Sequence, residues 1–240
     1  MNSSTNNTNN PDTDNPASNI QLSSTSRSTI KKNVKKASFD PQALNQIIDE
    51  SLIAHMAIIE ESGPIVIPML AWRVEDKVYI HGANNSRLLR NLKKGVQTCL
   101  TFTLFDGWVL ARSAFHHSAH YRSAVVFGAF DVVDDNQEKD RLLNHFVEQI
   151  APGRTDEARL SNQKELNATM LLAMPLTEAS VKISNVDVSD DLADMNLPTW
   201  AGYLPYRTVV GPLKATDDLN PEIETPDYSQ AYGEGWCREA

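Results

Sequence analysis

The order of the candidate elements is what most constrains this fold. Along the chain it runs helix, strands, short helix, hairpin, long strand, helix, helix, strand. Strands dominate, and no strand–helix–strand unit repeats. That order disfavours a doubly wound nucleotide-binding sheet and favours a closed or split β-barrel with helices outside. Closure also removes strand edges that would otherwise stay exposed. The predicted class is therefore mainly β with peripheral helices.

Local signals set the boundaries. Asp40-Pro41 reads as an N-cap followed by proline at the first helical position. Leu44, Ile47, Ile48 and Leu52 follow at helical spacing, which predicts a helix to about residue 53. A strand starts at residues 57–59 and breaks at Ser62-Gly63-Pro64. Residues 65–73 form another strand, in which Pro68 removes a ladder donor and so marks an edge or a bulge. Residues 77–82 are rich in Val, Tyr and Ile. Asn84-Asn85 can cap a short helix over 86–94 that ends at Gly95. Residues 96–105 read as a strand, Asp106-Gly107 as a hairpin turn and residues 108–115 as the return strand. A long strand covers 121–133, with Gly128 as a bulge or close approach. After Asp134-Asp135-Asn136, one apolar stripe joins Leu142, Leu143, Phe146, Val147 and Ile150. A further helix is expected over 163–172 and a final strand over 175–188.

Composition bounds the rest. The chain has 240 residues, 41% of them hydrophobic, enough for one substantial core. A formal net charge of -9 repels polyanions, so neither nucleic acid nor an anionic membrane is an expected partner. No apolar run approaches the roughly 20 residues of a membrane span. The two cysteines, Cys99 and Cys237, build no disulfide scaffold and show no zinc spacing, which makes a reducing, cytoplasmic setting the default. Residues 1–34 begin as an Asn-, Ser- and Thr-rich segment that reads as a disordered tail. Residues 35–207 form the expected domain. Residues 208–240 read as an acidic extension, since 212–240 hold seven acidic and two basic residues.

The segment from Tyr79 to Leu88 is the most informative for function. A strand ends, Gly82 leaves room beside the backbone, and a helix begins with Ser86 and Arg87. Unpaired N–H groups at a helix start favour an anion, and the Arg87 guanidinium is a donor fork suited to phosphate. Arg90, Lys93 and Lys94 add positive charge. The pattern holds neither GxGxxG nor a Walker lysine arrangement. A capped helix with a basic face remains the plain alternative.

Several stretches together resemble the pyridoxamine 5'-phosphate oxidase-like FMN-binding split-barrel family, in its nitroimidazole-reductase-like branch. They are Pro68-Met69-Leu70-Ala71-Trp72, Tyr79-Ile80-His81-Gly82-Ala83, Ser86-Arg87, and the run from His117 to Gly128. Glu138-Lys139, Val181-Lys182-Ile183, Pro198-Thr199-Trp200-Ala201-Gly202 and Pro205 extend the match. It covers roughly residues 35–207. The resemblance implies an FMN-binding split β-barrel, a homodimer with FMN at the subunit interface, and electron transfer from a nicotinamide or other small donor to a small acceptor. It assigns the phosphate to Ser86 and Arg87 and the ribityl chain to His81, Gly82 and Ala83. Backbone at Ile67, Pro68, Met69 and Leu70 falls to the isoalloxazine edge, and Tyr121 and Trp200 are further pocket candidates. Many relatives carry a basic pair where this chain has Arg87-Leu88. No second basic set for a substrate phosphate is found, so pyridoxamine phosphate oxidation is not expected.

Catalytic residues stay unassigned. Two alternative readings are a non-catalytic flavin-binding or sensing protein and a haem-binding or haem-degrading split-barrel protein, the latter with His81 as ligand. His81 also reads as an ordinary strand-end histidine. His116, His117 and His120 lack an evident carboxylate partner, so no metal site is expected there. Arg112 is either a pocket donor or a solvated strand residue. Trp200 either anchors the tail or covers the ligand. Trp72 and Trp108 are expected in core or interface positions.

Overall fold

In the computed structural model, residues 20–51 and 53–233 are described. Most of the expected N-terminal tail, Leu52 and Cys237 therefore lie outside the described residues. The strands and helices, in chain order, are β1 (Gln21–Leu22), β2 (Ala37–Ser38), α1 (Pro41–Glu50), β3 (Ile53–Glu60), β4 (Gly63–Leu70), β5 (Trp72–Val74), β6 (Lys77–Ala83), α2 (Arg87–Leu92), β7 (Thr98–Leu110), β8 (Ser118–Gly128) and β9 (Asp131–Val132). They continue with α3 (Asn136–Ile150), α4 (Arg154–Glu157), α5 (Gln163–Ala168), β10 (Thr169–Pro175), β11 (Glu178–Ser184), β12 (Gly202–Pro205) and α6 (Ser229–Tyr232).

Among the described residues these strands form two sheets. The larger runs β1-β11-β8-β7-β3-β4, with β12 also on β7 and β2 also on β11. The smaller runs β5-β6-β10-β9. One core joins them: Met56, Leu100, Phe102 and Val126 from the larger sheet meet Val78, Ile80, Leu172 and Met174 from the smaller. α1 adds Leu44, Ile47 and Ile48 to it, and α2 adds Leu88, Leu89 and Leu92. A second cluster lies on the far side of the smaller sheet, where Leu142, Leu143 and Phe146 of α3 cover Trp72, Tyr79, Leu171 and Ala173. β10 is thus apolar on both faces, as a strand between two cores must be. The architecture is the expected one, a split-barrel β fold with helices outside. No helix among the described residues is long and apolar enough to cross a membrane.

Local chemistry accounts for the helix starts. The Asp40 carboxylate accepts from Gln42 N at 2.9 Å, and Asp135 accepts from Glu138 N at 2.8 Å. Asn162 and Glu165 form a reciprocal capping box on α5. Pro68 lies on β4, the edge of the larger sheet, where a missing N–H is tolerated.

Several boundaries differ from the sequence expectation. α1 ends at Glu50, and Ile53 already pairs with Leu70. The strand expected over 65–73 is two strands in different sheets, with buried Ala71 between them. Asp106-Gly107 is no hairpin: β7 passes straight through it, with a bulge between Phe105 and Gly107. The Asp106 carboxylate is drawn sideways to Arg122, at 3.1 and 2.9 Å. A Cβ on Gly107, whose φ is +149°, would lie 2.6 Å from the Leu204 carbonyl oxygen. The close approach of β12 therefore requires that glycine. The helix expected over 163–172 stops at Ala168, because the Lys139 ammonium takes the Leu166 and Thr169 carbonyls at 3.2 and 3.0 Å and β10 begins. The expected final strand over 175–188 is reduced to β11, and β12 follows it. The strand expected to 133 ends at Gly128, where a Cβ would meet Met174 at 3.2 Å.

Residues 20–34, expected as tail, are held on the larger sheet. Ile20 is buried, β1 runs parallel to β11, and Arg27 donates to Glu178 at 2.9 and 2.5 Å.

Candidate functional site

A cleft of about 750 Å³ opens between the β3–β4 turn and α2. Ile59, Glu60, Glu61 and Ser62 line one wall, and Arg87, Arg90, Asn91, Lys93 and Lys94 line the other. Four cations against two carboxylates make it locally basic in an acidic chain. The charge comes from side chains. α2 has only six residues, so the helix-start argument from the sequence contributes little.

The alternation of α2 explains the arrangement. Leu88, Leu89 and Leu92 anchor the helix in the core, which turns Arg87, Arg90 and Lys93 outward. Ser86 is the N-cap, and its hydroxyl oxygen accepts from Leu89 N at 3.4 Å, which leaves the O–H proton free to donate. The Arg87 side chain is 74% exposed and meets the Glu60 carboxylate at 3.4 Å. A pair that open and that long is weak, so a dianion entering the cleft competes with it effectively.

Gly82 is closely approached by α2. A Cβ there would lie 2.9 Å from Leu89 Cδ1, so the glycine admits α2 to the core. His81 also faces away from Gly82, as strand alternation requires. Its ring lies 5.5 Å from Trp72 and 5.9 Å from Phe146, beneath α3. Burial lowers its pKa, which favours the neutral imidazole, and its Nδ1 is buried with no hydrogen-bond partner among the described residues. The Trp72 Nε1 beside it is buried and unpartnered in the same way. Ala83 is exposed at the end of β6, opposite Thr169.

On β4, Ile67 and Met69 pack against the main core, while Pro68 and Leu70 point outward. Tyr121 is half-buried at the start of β8, with the Lys36 ammonium 5.4 Å from its ring centre. Trp200 is 68% exposed, and its ring lies where a Cβ on Gly202 would stand, 2.7 Å away. The structure thus groups Arg87 with the cleft, leaves Ser86 just outside its lining as the cap of α2, and places His81 in a separate, aromatic environment.

Two arginines prove to be structural. Arg122 binds Asp106 at 2.9 Å and Glu50 at 2.6 Å, and these bonds raise its pKa. Arg112 is neither a pocket donor nor solvated: its backbone N–H and its guanidinium both reach the buried Asp190 carboxylate at 2.9 Å. Burial disfavours the Asp190 charge, but the bonds from Arg112 and from the Ser113 backbone outweigh it and hold the pKa below the usual carboxylate range. The sequence contained no signal for that pair. Cys99 is half-buried on β7, and burial pushes its thiol up, away from the reactive thiolate.

Two packed sheets, helices outside them and a basic cleft between the β3–β4 turn and α2 define a split-barrel protein. Residues 40–183 match the family model for pyridoxamine 5'-phosphate oxidase, and the chain belongs to that family. Two solved structures are similar over most of their length. The flavocytochrome Anf3 from Azotobacter vinelandii is 31% identical, with a TM-score of 0.81 over 86% of this chain and 96% of that one. A FAD- and haem-binding protein from Mycobacterium smegmatis is 34% identical, with a TM-score of 0.76 over 80% of this chain and 94% of that one. A Bacteroides thetaiotaomicron structure named for 5-nitroimidazole antibiotic resistance shares the fold at 21% identity and a TM-score of 0.50, over 61% of this chain and 86% of that one. No curated protein matches the sequence.

Proposed function

We propose that this chain is a flavin-nucleotide-binding oxidoreductase that works as a homodimer and passes electrons between a small donor and an acceptor. One observation carries the reading: Arg87, Arg90, Lys93 and Lys94 gather around one cleft in a chain whose formal net charge is -9. The residues fit a phosphate. Arg87 supplies a donor fork and the lysines a field that attracts the anion, and Ser86, next to Arg87 at the start of α2, has an O–H to offer. Glu60 holds the guanidinium over the cleft until a stronger anion arrives. The sequence resemblance named FMN. The Mycobacterium smegmatis relative binds FAD, and a row of cations along α2 offers a place for a second phosphoryl group. These two points favour FAD.

When bound, the flavin supplies reversible one- and two-electron chemistry. The chain's own task is to bind and orient it. Backbone at residues 67–70, on the edge strand, is proposed for the ring edge, with Pro68 unable to donate. The dimer is supported by the apolar side chains that β3 and β4 leave exposed, Ile53, Ile59, Val66 and Leu70. Titrating the purified chain with FAD, FMN and riboflavin tests this reading. FAD and FMN should bind at least about tenfold tighter than riboflavin. Equal affinities for all three remove the phosphate site and the proposal with it.

A haem is a second reading, favoured by His81. Its unpartnered Nδ1 and neutral form suit a metal ligand, and both closer relatives are named for haem or cytochrome chemistry. Adding haemin to the wild type and to His81→Ala tests it. A Soret band of the same shape and affinity in both proteins would eliminate His81 as the ligand.

A further inference from the structure

We propose that His116, Asp191 and Asp194 form a binding site for a first-row divalent cation such as Zn²⁺ or Mn²⁺. The histidine lies in the short turn Ala114–His116 between β7 and β8; Asp191 precedes the turn Leu192–Asp194 before β12, and Asp194 ends it. One ligand atom from each of the three side chains lies within 4.8 Å of the other two. An ion with bonds of about 2.0–2.2 Å holds its donors some 3–4 Å apart, so small rotations of exposed or half-buried side chains complete the shell.

Three features point to a cation. The Asp191 and Asp194 carboxylates approach each other with no hydrogen bond or ion pair to either side chain among the described residues. Two like charges that close repel unless a positive charge lies between them, and no lysine or arginine among the described residues pairs with either. The His116 ring is oriented by Ser113, whose Oγ is 3.1 Å from Nδ1, and Nε2 has no partner among the described residues. A hydrogen bond that fixes one imidazole nitrogen is the usual arrangement when the other ligates a metal. Finally, the two halves are already fixed side by side, because Arg112 just before the first turn grips Asp190 just before the second. One imidazole and two carboxylates suit Zn²⁺, Mn²⁺ or Fe²⁺ better than Ca²⁺, which prefers oxygen alone. Remaining positions would be filled by water.

The neighbouring histidines do not join. His117 Nδ1 bonds the Ser113 carbonyl at 3.0 Å, and His120 Nε2 bonds the Val186 carbonyl at 2.9 Å. A bound ion would clamp the segment leading to Trp200 against the rim of the β7–β8 pair. The site is independent of the flavin reading and is tested without flavin.

The test is isothermal titration of the full, untagged chain with ZnCl₂, and Mn²⁺ titration followed by electron paramagnetic resonance. The wild type should bind one ion per chain. His116→Ala and Asp194→Asn should each weaken it at least about tenfold, while His117→Ala leaves it unchanged. Thermal unfolding without metal shows whether each variant is folded, and Asp191→Asn replaces either one that is not. Binding of wild-type strength in the folded variants, or no binding by the wild type, overturns the proposal.

Discussion

The two sheets share one core, but their outer faces are finished in opposite ways. On the smaller sheet, α3 lays Leu142, Leu143 and Phe146 over Trp72, Tyr79, Leu171 and Ala173. On the larger sheet, the edge formed by β3 and β4 leaves Ile59 84% exposed and Val66 60% exposed. A helix from the same chain closes one face. The other keeps its apolar side chains in water, beside the basic cleft. The covered face should therefore contribute to the stability of each chain, and the open face to association and ligand binding.

The sharpest way to break this comparison is Leu142→Ala, beneath α3. Leu142 is 1% exposed, and its truncation should cost about 2–5 kcal/mol, read as a lower denaturant midpoint at unchanged slope. Arg87→Ala, on the open side, should instead leave folding alone and weaken FAD or FMN binding by about 1.5–3 kcal/mol, with riboflavin little affected. Equal losses for all three flavins would contradict a phosphate contact.

Asp135→Ala removes the cap of α3 and should cost about 1 kcal/mol of chain stability. His81, under the same helix, adds a pH dependence whose sign is set. Burial depresses its folded pKa, so below the ordinary histidine value the unfolded chain binds the extra proton and stability falls as pH falls. His81→Phe should flatten that acid-side slope in denaturant titrations. A slope unchanged by the substitution would place the titrating group elsewhere. Val66→Lys should have the smallest effect on the isolated chain, within about 0.5 kcal/mol, while sedimentation shows a shift from dimer to monomer. If Val66→Lys instead destabilises the monomer as much as Leu142→Ala, the distinction between the faces disappears.

Legibility followed sequence distance. The stripe Leu142, Leu143 and Phe146 was readable because its members meet within one helix, although Ile150 at its end is 38% exposed. The basic row from Arg87 to Lys94 was readable for the same reason, and Pro68 marked an edge by its missing donor. Asp106-Gly107 misled because a turn dipeptide also suits a bulge, and only the approach of β12 chose between them. β10 was misplaced because an apolar run buried on both faces carries no alternation to read. The approach of Leu89 to Gly82 was not readable, because it depends on how α2 packs back on β6.

By itself the sequence determined the starts and caps of α1 and α3, the excess of strand, and a cluster of positive charge after β6. These depend on residues a few positions apart, where side-chain chemistry and backbone geometry act directly. Tertiary structure alone decided which face His81 joins, that Arg112 pairs with Asp190 78 residues away, and that His116 comes within 4.8 Å of two aspartates. Each of those pairings depends on which strands lie side by side, a choice made by burial summed over the whole core and by no single local pattern.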